Sequence, residues 1–208
     1  MLEAEHLACL KGDRLLFRDL SFHLQAGDLL RVAGPNGVGK TSLLRMATGL
    51  AQAEAGEVRW QGMALRRSRE AFHRDLLYVG HAAAINDLLT PLENLEFACA
   101  AVGDRVERDR CQDALERIGL AAQIELPARV LSQGQRRRVG LARLFLGAQR
   151  RLWVLDEPFT ALDVNAVADL AQLLSAHCEA GGMVMLTTHQ DAAFSRPPRV
   201  LDVGQFAC

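Results

Sequence analysis

Gly34-Pro35-Asn36-Gly37-Val38-Gly39-Lys40-Thr41 is the segment that most narrows what this 208-residue chain can become. It fits GxxxxGK[ST], between an apolar run, Leu29-Leu30-Arg31-Val32-Ala33, and an apolar-periodic stretch from Lys40 to Leu50. Strand, glycine turn and helix in that order form a phosphate-binding loop. Glycines let successive backbone N–H groups turn inward as an anion-sized nest. The helix that follows aims its positive end at the same point. Lys40 adds a mobile charge for β- and γ-phosphates, Thr41 a hydroxyl for Mg²⁺, and Ser42 the next position of the same turn. The chain is therefore expected to bind a nucleotide on an α/β fold.

The remaining pattern agrees with that class. Leu20-Ser21-Phe22-His23-Leu24 alternates in period two, and the first thirty residues read as short β segments. Glu57–Trp60, Leu76–Val79, Leu152–Leu155, Met183–Leu186 and Val200–Val203 read as further strands. Between 90 and 126 the signals turn helical. Thr90 is an N-cap, Pro91 sits at N1 and Glu93 closes a capping box; a second helix runs from Glu107 to Ile118 and stops at Gly119. Helices are also expected from Ser132 to Gly147 and from Asp163 to Ala180. Strands alternating with helices imply a mainly parallel sheet core with an N-terminal antiparallel β segment. The mid-chain block forms a helical lobe, so a single 1–208 domain divides into a core of roughly 1–88 and 150–208 and a lobe of roughly 89–149.

Two further segments carry chemistry. Leu152-Trp153-Val154-Leu155-Asp156-Glu157 is an apolar strand ending in two acids. Strand alternation sends adjacent carboxylates to opposite faces, with Asp156 reaching a metal and Glu157 orienting an attacking water. In Leu131-Ser132-Gln133-Gly134-Gln135, Ser132 and Gln135 form another capping box, and Gly134 permits close approach of an anion. This second phosphate-ready helix start, far along the chain from the first, suggests a composite site.

The phosphate loop, LSQGQ, LDEP, Ala161-Leu162-Asp163 and His189 after a strand appear in the order found in ATP-binding-cassette ATPases, and the chain resembles that family over its whole length. The resemblance implies two cassettes sandwiching two ATP molecules head to tail, with Ser132, Gln133, Gly134 and Gln135 acting in trans. It implies Asp163 at the dimer seam, and His189 contacting the γ-phosphate and positioning Glu157 and the water. Most members place Gln where this chain has His81, and His81 is expected to do that Gln's work of linking Mg²⁺ to the coupling surface. An imidazole nitrogen accepts a water or metal contact as an amide oxygen does. The family's adenine-stacking aromatic belongs near Leu10–Arg14, which has none; Arg14 or Phe17 are the alternatives. Arg136-Arg137-Arg138 reads as a partly solvated face, some of it paired with acids of the helical lobe.

Composition narrows the setting. Twenty-four basic residues against 25 acidic leave a net charge of -1, which argues against nucleic-acid binding driven by bulk charge. No apolar run is long enough to cross a bilayer, and the acidic start lacks a signal-peptide pattern. The five cysteines fall at no metal-ligand or disulfide spacing. A single catalytically equipped cassette without a membrane segment must at least dimerise. The energy subunit of a membrane transporter is favoured over a soluble repair- or translation-type cassette ATPase, or a silent regulatory cassette. The His81 context, Leu89–Leu95, Gln135–Val139, Phe159–Asn165 and Thr187–Gln190 resemble the ATP-binding subunits of bacterial cytochrome c maturation systems, described as haem exporter ATPases. That resemblance implies a peripheral position on the cytoplasmic face of the inner membrane, integral membrane partners and no direct haem contact; no CxxCH motif is present.

Overall fold

A computed structural model describes residues 1–208. The N-terminal segments form a hairpin, Leu2–Lys11 (β1) and Arg14–Leu24 (β2), turning at Gly12-Asp13. β1 also pairs with Ala55–Trp60 (β4), which turns back into Met63–Ala64 (β5), giving an antiparallel sheet in the order β2-β1-β4-β5. These strands are longer than the short segments expected. Register shifts within β1, with His6 and Asp19 at positive φ, break the alternation that would have exposed their length. The unbroken stretch Leu20–Leu24 does alternate, buried and exposed, as its sequence predicts.

The second sheet is parallel throughout. Leu29–Ala33 (β3), Leu76–Val79 (β6), Leu152–Asp156 (β7), Met183–Thr187 (β8) and Arg199–Asp202 (β9) lie in the order β6-β7-β8-β3-β9. Every residue of β7 and β8 is buried, the signature of strands covered on both faces. Leu152, Val154, Met183 and Met185 face the helix Lys40–Ala47 (α1) and the antiparallel sheet. Trp153, Leu155, Val184 and Leu186 face the helix Val164–Glu179 (α6). The carboxyl ends of β3, β6 and β7 thus emerge on one edge, where parallel sheets hold ligands.

Pro91–Ala101 (α3), Arg108–Arg117 (α4) and Gln133–Leu146 (α5) pack around an apolar cluster of their own, with Leu92, Leu95, Leu115, Val139 and Ala142 at its centre. Both expected capping boxes, Thr90 with Glu93 and Ser132 with Gln135, are formed. α1 stops at Ala47, earlier than expected, because Thr48 caps it and Gly49 turns left-handed at φ 71. A helix at Leu65–Asp75 (α2), interrupted at Ser68, had no sequence expectation. Its buried face, Leu65, Ser68 and Phe72, has helical spacing but only two large apolar side chains, set among charged residues. No helix is long and apolar enough to cross a membrane, and all five cysteines are unpaired, with Cys208 exposed.

Candidate functional site

The loop after β3 and the start of α1 wall a cleft of about 520 Å³. Asn36, Gly37, Gly39, Lys40, Thr41 and Ser42 line one side. His81, from the turn after β6, Asp156 and Glu157, from the end of β7, and His189, after β8, line the other. Four separate strand ends therefore deliver one constellation. Gly34 and Pro35 hold the loop's base: Lys40 Nζ donates to their carbonyls at 2.7 and 3.2 Å, bending the ammonium over the nest. Val38 turns the other way and joins the core. Gly39 caps α1 at φ 109, and a Cβ there would stand 2.9 Å from the Phe17 ring, so backbone freedom and packing both demand glycine.

The two carboxylates do not go to opposite faces as alternation predicted. β7 ends at Asp156, and Glu157 takes a left-handed φ of 52, which swings its side chain back into the cleft beside Asp156. A hydroxyl from β8 holds that bend. Thr187 Oγ1 accepts from the Glu157 N–H at 2.8 Å and donates to Asp156 Oδ1 at 2.7 Å. Asp156 Oδ2 is buried with no protein partner. Glu157 Oε1 lies 3.5 Å from His189 Nε2; the carboxylate is mostly covered while the imidazole is over half exposed. The carboxylate and the histidine that approach one another here come from the ends of adjacent strands.

Ser132, Gln133, Gly134 and Gln135 do not line this cleft. They open α5 elsewhere, where Gly134 packs under the Ala161 carbonyl; a Cβ would sit 2.6 Å from that oxygen. Asp163 lies beside them, capping α6 through the Ala166 N–H at 3.0 Å and ion-paired with Arg138. The Ala166 N–H first, and then Arg138, hold its carboxyl below the ordinary value. The chain thus carries a phosphate cleft and, apart from it, a second helix N-terminus.

The arginine run differs from its expectation. Arg136 pairs with Asp87 and Arg138 with Asp163, neither acid belonging to the three-helix cluster. Arg137 is buried rather than solvated: at 6% exposure it donates to four backbone carbonyls of the turns after β6 and β7. Burial pulls its guanidinium pKa down, opposed by Asp156 and Glu157. The base-stacking alternatives also fall away. Phe17 is fully buried against Gly39, and Arg14 does not line the cleft. Lys11 and Leu16 line it instead, so both lysines of the chain share one site. Thr187 escaped sequence reasoning; its only signal was its place at the end of a buried strand two residues before His189.

A family model described as "ABC transporter" matches residues 17–160. Over 207 residues the chain is 71% identical to the cytochrome c biogenesis ATP-binding export protein CcmA of Aromatoleum aromaticum, covering 100% of this chain and 97% of that one. It is 52% identical to the protein of that name from Dechloromonas aromatica, covering 91% of this chain and 93% of that one, and 53% identical to the Salmonella typhi protein, covering 91% and 90%. Among solved structures it superposes on a dimeric bacterial ABC transporter cassette with a TM-score of 0.83, at 24% identity, covering 98% and 95%. A dimeric cassette in a post-hydrolysis state bound to ADP and Pi gives 0.80, at 23% identity, covering 91% and 88%.

Proposed function

The chain belongs to the ABC transporter ATPases, among the cytochrome c biogenesis ATP-binding export proteins, and on that premise we propose that it hydrolyses ATP to drive a membrane partner in c-type cytochrome biogenesis, in haem export or handling. The setting in c-type cytochrome biogenesis rests on the relatives; the observation that carries a two-copy ATPase is the division of its chemistry. Lys40, Thr41, Asp156, Glu157, His81 and His189 meet in one cleft, while Ser132–Gln135 lie outside it. A second copy of the chain, docked head to tail, completes each site by presenting its Ser132 and Gly134 to the γ-phosphate, with Asp163 at the seam. Residues 1–88 and 150–208 then serve as the nucleotide-binding core and 89–149 as the helical lobe.

Within the cleft the roles follow from position and chemistry. The loop from Gly34 to Ser42 cradles the phosphates through backbone N–H groups, and Lys40 neutralises their charge. Glu157 orients the attacking water and accepts its proton, and His189, in reach of Glu157, holds both against the γ-phosphate. Thr41, Asp156 and His81 would hold Mg²⁺. The unpartnered, buried Asp156 Oδ2 suits a cation. Such a cation, carried largely by substrate phosphates, would supply charge neutralisation at the transferred group. Lys11 and Leu16 also line the cleft.

The protein acts as a peripheral subunit at the cytoplasmic face of the inner membrane, bound to integral membrane subunits; it contacts neither haem nor nucleic acid. Replacing Glu157 by Gln tests the reading. ATP should then convert the protein to a stable dimer and abolish turnover. A Glu157→Gln protein that stays monomeric with ATP bound, or that hydrolyses ATP normally, would overturn it.

A further inference from the structure

We infer that Arg137 is a positioning residue that ties the start of α5 to the catalytic strand ends, so that engagement of Ser132 and Gly134 by one nucleotide sets Glu157 and His81 at the other. The inference rests on the two-copy reading above. β6 and β7 are parallel neighbours, with Val79 opposite Leu155, so the turns that follow them lie side by side. Arg137 bridges both turns with one guanidinium. Nη1 donates to the Gly80 and His81 carbonyls at 2.5 and 3.1 Å, and Nη2 to the Asp156 and Glu157 carbonyls at 2.7 and 3.0 Å. No carboxylate oxygen takes part in these bonds.

Burying a cation among carbonyls is costly, and an apolar residue would fill a core position with less penalty. What only the planar guanidinium supplies is a rigid fork that spans two segments at once. The residue stands two positions after Gln135, on the opening turns of the helix whose N-terminus carries Ser132 and Gly134. A shift of that helix by a fraction of a hydrogen-bond length is therefore delivered to the carbonyls of His81 and Glu157. Its neighbours do not share this placement, since Arg136 and Arg138 make partly exposed ion pairs. In the two-copy assembly the Ser132–Gln135 segment of one site and the Glu157 of the other belong to the same chain. Arg137 thus couples the two sites, a linkage between distinct positions through one element.

The test separates coupling from simple support. Arg137→Gln should bind ATP with unchanged affinity, since no Arg137 atom meets the phosphate loop. In the Glu157→Gln background it should still dimerise with ATP. Its kcat should fall at least about tenfold, and the ATP dependence of the rate should change from sigmoidal to hyperbolic. Wild-type kcat with sigmoidal kinetics would overturn the inference. So would parallel loss of ATP binding, dimerisation and turnover, the mark of a purely structural brace. Should Arg137→Gln not fold, Arg137→Lys decides: an ammonium keeps the charge but cannot fork across both turns, so the same split is expected, and full restoration of rate and sigmoidicity would refute the two-turn bridge. If the unmodified protein neither dimerises nor hydrolyses ATP, the two-copy reading fails, a different result from any of these.

Discussion

Thr187 carries no chemistry of its own, yet its hydroxyl should be among the most sensitive atoms in the chain. Thr187→Val keeps shape and removes two bonds: the one accepted from the Glu157 N–H at 2.8 Å and the one donated to Asp156 Oδ1 at 2.7 Å. The side chain is fully buried, so water does not take its place there. A stranded buried N–H costs about 1–3 kcal/mol, and losing a bond to a charged oxygen about 1.5–3 kcal/mol. Release of Glu157 from its left-handed φ of 52 gives back roughly 1 kcal/mol. The balance is a loss of about 3 kcal/mol, or about 6–12 °C in Tm for a chain of this size. Glu157 also loses the anchor that aims it into the cleft, so kcat should fall about 100-fold while ATP affinity, set by the phosphate loop, is unchanged. Thr187→Ser keeps the hydroxyl and loses a methyl worth about 1 kcal/mol; its turnover should match wild type. Thermal melts, nucleotide titration and steady-state ATPase rates on the two variants decide. If Thr187→Val melts with Thr187→Ser and turns over normally, the hydroxyl does not hold the carboxylate pair.

Two further outcomes follow from other positions. Gly134→Ala in the Glu157→Gln background should no longer dimerise with ATP, although alanine favours a helix by about 1 kcal/mol, because its Cβ would stand 2.6 Å from the Ala161 carbonyl and force the helix start or that turn aside; sedimentation with ATP reads this directly, and normal dimerisation would show the close approach is dispensable. His177 stacks on Trp153 at 3.7 Å and burial pushes its pKa down from 6.5 to about 4, so the folded state keeps it neutral. The unfolded chain takes up the proton first, so this stability is whole above pH 6.5 and declines as pH falls to about 4, by up to about 3 kcal/mol. His177→Gln should flatten the urea-midpoint slope over that window, and an unchanged slope would assign it to other groups.

Much of this site was legible because it is local. A glycine loop, a lysine and a helix start within eight residues need only one strand and one helix to be correctly read, and the capping boxes of Thr90 and Ser132 are written in four residues each. The apolar runs at β7 and β8 announced buried parallel strands before any sheet order was known. Legibility failed where backbone or partner departed from the regular period. Strand alternation sent Asp156 and Glu157 apart, and one left-handed residue brought them together. Arg137 looked like the middle of a solvated run, since nothing in RRR distinguishes a buried fork from its exposed neighbours. The aromatic at Phe17 suggested a base platform, but the hairpin turns it into the core beneath Gly39.

Local spacing alone was enough to set the chemical inventory: a phosphate nest, a lysine, a carboxylate pair, a histidine after a strand, and a second anion-ready helix start too far along the chain to belong to the first. Each unit rests on spacing within a single turn of helix or a few residues of strand. Which of these share a cleft depends on the folded chain, because the parallel order β6-β7-β8-β3 sets four distant strand ends on one edge. The fold alone placed Ser132–Gln135 outside that cleft, left Asp156 Oδ2 without a partner, and joined the two regions through the buried fork of Arg137. Long-range pairing of strands, not local periodicity, fixes those neighbours.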